Sequence, residues 1–266
     1  MPLEKFILTI GFCFYLCLNI ASEDSQNIAI DHSKAKDLNV AFMIGEKEYL
    51  TAETLPKYAR KYLIPNGIDC SFIHVNPDDP NDFPGLIGAL EKADVLVISV
   101  RRRTPPLAQM KALQKYLNTD KGIVGIRTSS HSFGRVPPDK NHIRWEEFDR
   151  DIFGMDYEGH YGNKGPDDLA TIINVIPFWK SHPVLNGIES NHFTSSSHLY
   201  RNRKPDDGVS ILLTGSVGKD ESKLEPVAWT SSGRNGKTFY TSLGNPGDFA
   251  QFEFLQILTN AIVWAK

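Results

Sequence analysis

Arginines in this chain gather where apolar runs end. Arg101, Arg102 and Arg103 follow the run that closes at Val100, and Arg127 follows Ile123-Val124-Gly125-Ile126. A guanidinium stays protonated and carries its donors in a planar fork, so each one demands either an acid or the oxygens of a ligand. Arg127 is open to both: an ion pair with Glu46 or another acid, or a fork on ligand oxygens. In the run of three, one or two should be solvated, and Pro105-Pro106 turns the chain away directly afterwards. Other chemistry-bearing groups follow apolar runs too: Glu46 and Tyr49, then His131, then Asn245.

A second constellation is Asp156-Tyr157-Glu158-Gly159-His160-Tyr161-Gly162-Asn163. Carboxylate, imidazole, phenol and amide in one glycine-containing stretch suit a sugar. Polar groups bond its hydroxyls and aromatic rings cover its apolar ring face. The roles then divide. Glu46, His131 and His160 are candidate acid/base groups. Tyr49, Arg101, Arg102, Arg103, Arg127, Tyr161, Asn163 and Asn245 are candidates for holding substrate oxygens. His131, His160, Glu46 and Asp156 could instead bind a divalent metal, but no local His-x-x-x-His spacing supports it, so no cofactor is expected. His182 reads as a structural loop residue. His192 and His198 flank the Ser/Thr-rich stretch 194–197, which leads to Leu199-Tyr200, and the segment reads as an ordered pocket wall.

The elements that would position these groups are legible from periodicity. Unbroken apolar runs at 38–44, 93–100 and 122–126 predict strands buried on both faces. A further strand is expected at 70–75. Apolar spacing of four in 51–63 predicts a helix, which puts Pro56 in its first turn. Shorter helices are expected within 85–92 and over 106–116. This β/α alternation implies an α/β fold with a doubly wound, mostly parallel sheet, whose ligands bind beyond the carboxyl ends of the strands. Residues 128–166 read as a long excursion without packed elements. Strands return at 170–175, 210–214, 226–230 and 237–243, the last two joined as a hairpin by Gly233-Arg234-Asn235-Gly236. An amphipathic helix over 249–266 closes the domain.

Composition sets limits. The chain has 266 residues, 41% hydrophobic and 23% charged, with a formal net charge of −3. That excludes disorder and a basic field for nucleic acid. Lys5, the apolar run 6–20 and the small residues Ala21-Ser22 read as a signal peptide over 1–22, followed by a polar leader, 23–37, and one domain, 38–266. Export to the periplasm or extracellular space is expected. The apolar run is shorter than the ~20 residues of a bilayer span, which favours cleavage over anchoring. Cys13 and Cys17 lie in that signal. Cys70 alone remains beyond it, so neither an internal disulfide nor a cysteine-only metal site can form in the domain.

Taken in order, several segments resemble the ThuA-like (trehalose utilisation) family of the class I glutamine amidotransferase-like superfamily. They are Val40-Ala41-Phe42-Met43-Ile44-Gly45-Glu46, Ala93-Asp94-Val95-Leu96-Val97-Ile98-Ser99, Gly122-Ile123-Val124-Gly125-Ile126-Arg127, His182-Pro183-Val184, Glu225-Pro226-Val227-Ala228-Trp229-Thr230, Phe239-Tyr240-Thr241-Ser242-Leu243-Gly244 and Asn260-Ala261-Ile262-Val263-Trp264-Ala265. The resemblance implies a flavodoxin-like, amidotransferase-like fold and a role in disaccharide use, in a branch found beside sugar-processing proteins. Two departures matter. Amidotransferases carry a nucleophilic cysteine on a strained turn after Gly-Ile, where this chain has Arg127. Their partner histidine precedes Pro-Glu, and ThuA-like proteins commonly keep a histidine there, where this chain has Asn245 before Pro246. Neither a guanidinium nor an amide can fill those roles. The expectation is therefore an exported protein that acts on or binds a disaccharide or keto-sugar without amidotransferase chemistry. A non-catalytic sugar binder or an interaction protein on the same fold is the alternative.

Overall fold

A computed structural model describes residues 27–134, 141–162, 170–218 and 220–266. The unbroken apolar runs become its central strands. β1 (Asn39–Gly45), β2 (Asp69–His74), β3 (Val95–Val100) and β4 (Gly122–Ile126) come from the first half of the chain. β5 (Asp156–His160), β6 (Thr171–Val175), β7 (His192–Ser195), β8 (Tyr200–Arg203), β9 (Val209–Val217), β10 (Asp220–Ser231) and β11 (Thr238–Thr241) follow. Nine of these form one sheet in the order β2-β1-β3-β4-β11-β10-β9-β6-β7. The block from β2 to β11 is parallel. From β11 to β7 every pairing is antiparallel, beginning with the expected β10–β11 hairpin.

Helices cover both faces, as a doubly wound sheet requires. On one face lie α2 (Thr51–Tyr58) and α5 (Phe252–Ala265), which bury Leu55, Tyr58, Leu255, Leu258 and Ile262. The short α1 (His32–Ala35) joins this side through Ala35. On the other face, α3 (Leu86–Lys92) and α4 (Leu107–Leu117) bury Leu86, Leu90, Met110, Leu113 and Tyr116. Two glycines let these layers close. A Cβ on Gly122 would stand 2.2 Å from the Ala265 carbonyl oxygen, and one on Gly125 would stand 2.4 Å from Cζ of Phe153.

Several expectations need correction. Pro56 lies beyond the first turn of α2, which starts at Thr51, and the helix passes into a π turn over Ala59–Leu63. A proline there removes a helical donor, so the ladder is already broken where the wider turn takes over. The excursion 128–166 is packed in its described part. Phe133, Phe148 and Phe153 meet edge to face over the α3/α4 side, and a π turn, Asp149–Phe153, leads into β5. β5 pairs antiparallel with β8 as a separate two-stranded ribbon, so the stretch read as a loop is a strand. β7 and β8 were not expected as strands either, being short and polar. The stretch read as a leader is docked where it is described: Ile28 and Ile30 pack on the core, and Ala29 exchanges two backbone hydrogen bonds of 2.8 Å with the Gln256 amide. The proposed signal, 1–22, lies outside the described residues. Among those described, no helix is long and apolar enough to cross a membrane.

Candidate functional site

Backbone strain marks the carboxyl rim of the parallel strands. Among the described residues, five non-glycine residues have positive φ, and three of them follow β1, β3 and β4: Leu50 (55°), Arg102 (51°) and Arg127 (46°). Each costs about 1–2 kcal/mol in that region and persists only where its surroundings enforce it, as at functional sites. Arg127 stands directly after β4 on the strained turn expected there, at the head of a 3-10 turn, Arg127–His131. Gly244, φ 120°, passes so close that a Cβ on it would touch Ile126 and Arg127. The Arg127 and Asn245 segments thus leave the neighbouring strands β4 and β11 at the same end of the sheet.

The Arg127 side chain is buried, with 1% of its surface exposed. Its Nη1 donates to the Ser242 carbonyl at 2.6 Å, and its Nε has no partner. The guanidinium is sandwiched between two rings, 4.0 Å from the Tyr49 centroid and 4.7 Å from that of Tyr200. Among the described residues no carboxylate lies in ion-pair range of it, and Glu46 does not serve. Burial works against its charge, but the Tyr200 and Tyr49 phenols, with Asp248 beyond them, outweigh this and hold the group firmly protonated. The two rings cover the cation and separate it from the pocket beyond them. The stack continues outward: Tyr200 lies 4.7 Å from Tyr157, and Tyr157 stacks on His131 at 4.4 Å and 18°.

Beside this stack is a pocket of about 210 Å³, lined by Arg102, Ser130, His131, Glu146, Asp149 and Tyr157 over a floor that includes Phe133. Its walls offer cation, imidazole, hydroxyl, phenol and carboxylate. Ser130 Oγ lies 3.1 Å from His131 Nδ1, and the Arg102 N–H donates to the His131 carbonyl at 2.9 Å, which ties the two walls together. Asp149 accepts the Tyr157 N–H at 2.8 Å and the Arg150 N–H at 3.0 Å. Burial nevertheless pushes its carboxyl up to about 6, with Asp156 adding to the rise.

The remaining candidates divide by position. Glu46 is buried and caps the start of α2. It accepts the Tyr49 N–H at 2.7 Å and the Thr51 N–H at 2.8 Å, and it also takes the Thr51 hydroxyl. Arg101 pairs with Glu48 at 2.9 Å, and Arg103 Nε donates to the Gly45 carbonyl at 2.9 Å, so these two clamp the loop after β1. Burial, then the nearby Arg101, lowers the pKa of Arg103. Arg102 alone of the three lines the pocket. His160 is exposed on the ribbon, with its ring 6.3 Å from Tyr200, while His131 lies 6.1 Å from the same ring. Tyr161 anchors the ribbon elsewhere by donating to the buried Glu225 at 3.0 Å, where Arg203 also pairs. Asn245 is half-buried, and its N–H donates to Asp248. Asn163 lies outside the described residues.

The four groups named as a possible metal site are not brought together. Glu46 is committed to its cap, and Asp156 pairs with Arg150 at 2.5 Å. Among the described residues no three His, Cys, Asp or Glu side chains converge. Cys70 sits on β2, away from the rim, and burial pushes its thiol up to about 12. Sequence reasoning missed Asp149, Glu146 and Asp248, and it named Tyr200 only as part of a pocket wall. Asp149 lies in the acid-rich Glu146-Glu147-Phe148-Asp149-Arg150-Asp151, where only burial distinguishes it from its solvated neighbours. Asp248 is buried and accepts from Ser195 Oγ (2.6 Å), Ser197 Oγ (2.7 Å) and the N–H groups of Gly244 (2.8 Å) and Asn245 (3.0 Å), which fixes the turn beyond β11.

These parts define a flavodoxin-like α/β protein whose carboxyl rim carries an arginine on the turn after β4. The chain belongs to the ThuA family, trehalose utilisation, whose model matches residues 42–265. Among solved structures it is similar to a ThuA-like protein from Parabacteroides merdae ATCC 43184, with a TM-score of 0.62 and 18% identity over 86% of this chain and 89% of that one. It is also similar to Agd3, a carbohydrate deacetylase, with a TM-score of 0.54 and 12% identity over 84% of this chain and 32% of that one. At these identities the likeness is one of fold. No curated protein matches the chain in sequence.

Proposed function

We propose that this protein binds one ring of a disaccharide or keto-sugar in the pocket between Arg102, His131, Asp149 and Tyr157, and that it is exported to do so. The observation that carries this reading is the pocket itself. It lies at the carboxyl rim beside two strained arginines, and donors and acceptors share its walls with an aromatic ring. Its volume, about 210 Å³, is below the ~300–1,000 Å³ of sites that take drug-sized ligands. One sugar ring fits inside, and the second ring of a disaccharide must lie outside. Amidotransferase chemistry has no support: the turn after β4 carries a covered guanidinium, and the one thiol beyond the expected signal sits on β2, away from the rim, with burial pushing it up to about 12.

Calorimetric titration of the protein with trehalose, other disaccharides and their keto forms tests the reading. Binding that Arg102→Ala and Tyr157→Ala each weaken supports it, and binding indifferent to both variants refutes it. A binder without turnover is the second reading. It is favoured because Glu46 is committed to its helix cap and an amide stands at 245. Product formation from any bound sugar, lost in His131→Ala while affinity persists, decides for an enzyme.

A further inference from the structure

The pocket needs a group that fixes the orientation of a sugar ring, and the geometry points to Asp149. We propose, resting on the sugar-binding reading above, that the Asp149 carboxylate holds the buried ring by accepting hydroxyl protons on the wall facing Arg102 and His131.

Four observations support this. Asp149 lines the pocket. Its backbone is immobilised, because it opens the π turn whose Phe153 is wedged against Gly125 and whose last carbonyl takes the Trp229 indole N–H at 2.8 Å. Its oxygens are half used: Oδ1 takes the Arg150 N–H and Oδ2 the Tyr157 N–H, and an ionised carboxylate offers about four acceptor positions. Finally, among the described residues no cation is in ion-pair range of it. Arg150, its neighbour in sequence, turns instead to Asp156 and Asp206. A half-buried carboxylate without a cation gains from each hydroxyl it accepts, and a pair of adjacent sugar hydroxyls matches its two oxygens.

The bound form must be the ionised one. Since burial leaves this carboxyl protonating at about 6, affinity should fall as pH drops through that value. Among the described residues, the charged and titratable groups around it are Arg102, His131 and Glu146 on the pocket walls, Arg150, Asp156 and Tyr157 on its flanks, and Tyr240 beneath. Histidines titrate in the same range, so His131 needs its own control.

The experiment is calorimetric titration of the full chain with trehalose at pH 7.5 and pH 5.0, for the native protein and for Asp149→Asn, Glu146→Gln and His131→Gln. Asparagine keeps the shape and an oxygen for a backbone N–H, and thermal unfolding of each variant reports that it is folded. The native protein should lose about tenfold in affinity between the two pH values. Asp149→Asn should bind about tenfold more weakly at pH 7.5 and should lose the pH dependence, while Glu146→Gln and His131→Gln retain it. An Asp149→Asn protein with native affinity or native pH dependence overturns the assignment of Asp149 and leaves the sugar site standing. Where the native protein does not bind trehalose at pH 7.5, the same series is run with the disaccharide or keto-sugar of the panel above that it does bind, and binding of none of them overturns the assignment together with the sugar reading.

Discussion

Asp149→Asn should make the protein more stable at neutral pH. The carboxyl protonates at about 6 in the folded chain against an ordinary 3.8, so the native state binds this proton more tightly than the unfolded state does. The slope of unfolding free energy with pH is proportional to protons bound by the unfolded state minus those bound by the native state. It is negative between those two values. Stability therefore falls as pH rises through the window from about 4 to about 6, and the full cost is present above about 7. A displacement of about two pH units corresponds to about 3 kcal/mol, and water reaching the half-buried group reduces that to about 1–3 kcal/mol. Asparagine removes this cost but turns one N–H toward a backbone donor, a loss of about 1 kcal/mol. The net expectation is a gain of about 1 kcal/mol at pH 7.5 that vanishes by pH 4.5. Urea unfolding at the two pH values measures it, read as the midpoint shift at constant slope. An Asp149→Asn protein less stable than the native one at pH 7.5, or differing from it equally at both pH values, would refute the reasoning.

Three further outcomes are expected. Asp248→Ala leaves four donors without their acceptor in a buried turn and should cost about 3–5 kcal/mol in urea unfolding; a loss under about 1 kcal/mol would show that water or a shifted loop replaces the carboxylate. Glu46→Ala removes the cap of α2 and should lower stability by about 1–2 kcal/mol, with Glu46→Gln recovering part of it; equal effects of the two changes would speak against capping. Gly122→Ala puts a methyl against the Ala265 carbonyl and should cost about 1–3 kcal/mol or more by thermal unfolding, whereas a neutral change would mean that α5 is free to slide.

What was legible in the sequence follows from what periodicity can carry. β1, β3 and β4 are buried on both faces, so their lack of alternation identified them and placed Arg101–Arg103 and Arg127 at one end of the sheet. β5 and β8 escaped notice because a two-stranded polar ribbon has no apolar face to set a period. The helix start at Thr51 is legible, but the rule that confines proline to the first turn does not see that α2 carries Pro56 in its interior and passes into a π turn at Ala59. Arg127 was named, but its cover of Tyr49 and Tyr200 was not, since Tyr200 comes from a distant strand. Asp149 differs from Asp151 only in burial, which depends on contacts with β5 that no local pattern records.

The most direct test of the central claim is a crystal structure of the protein grown with trehalose. One glucose ring should lie among Arg102, His131, Asp149 and Tyr157, with its hydroxyls on the Asp149 carboxylate and the second ring projecting outward. A sugar bound at any other surface, with that pocket left to water, would contradict the account.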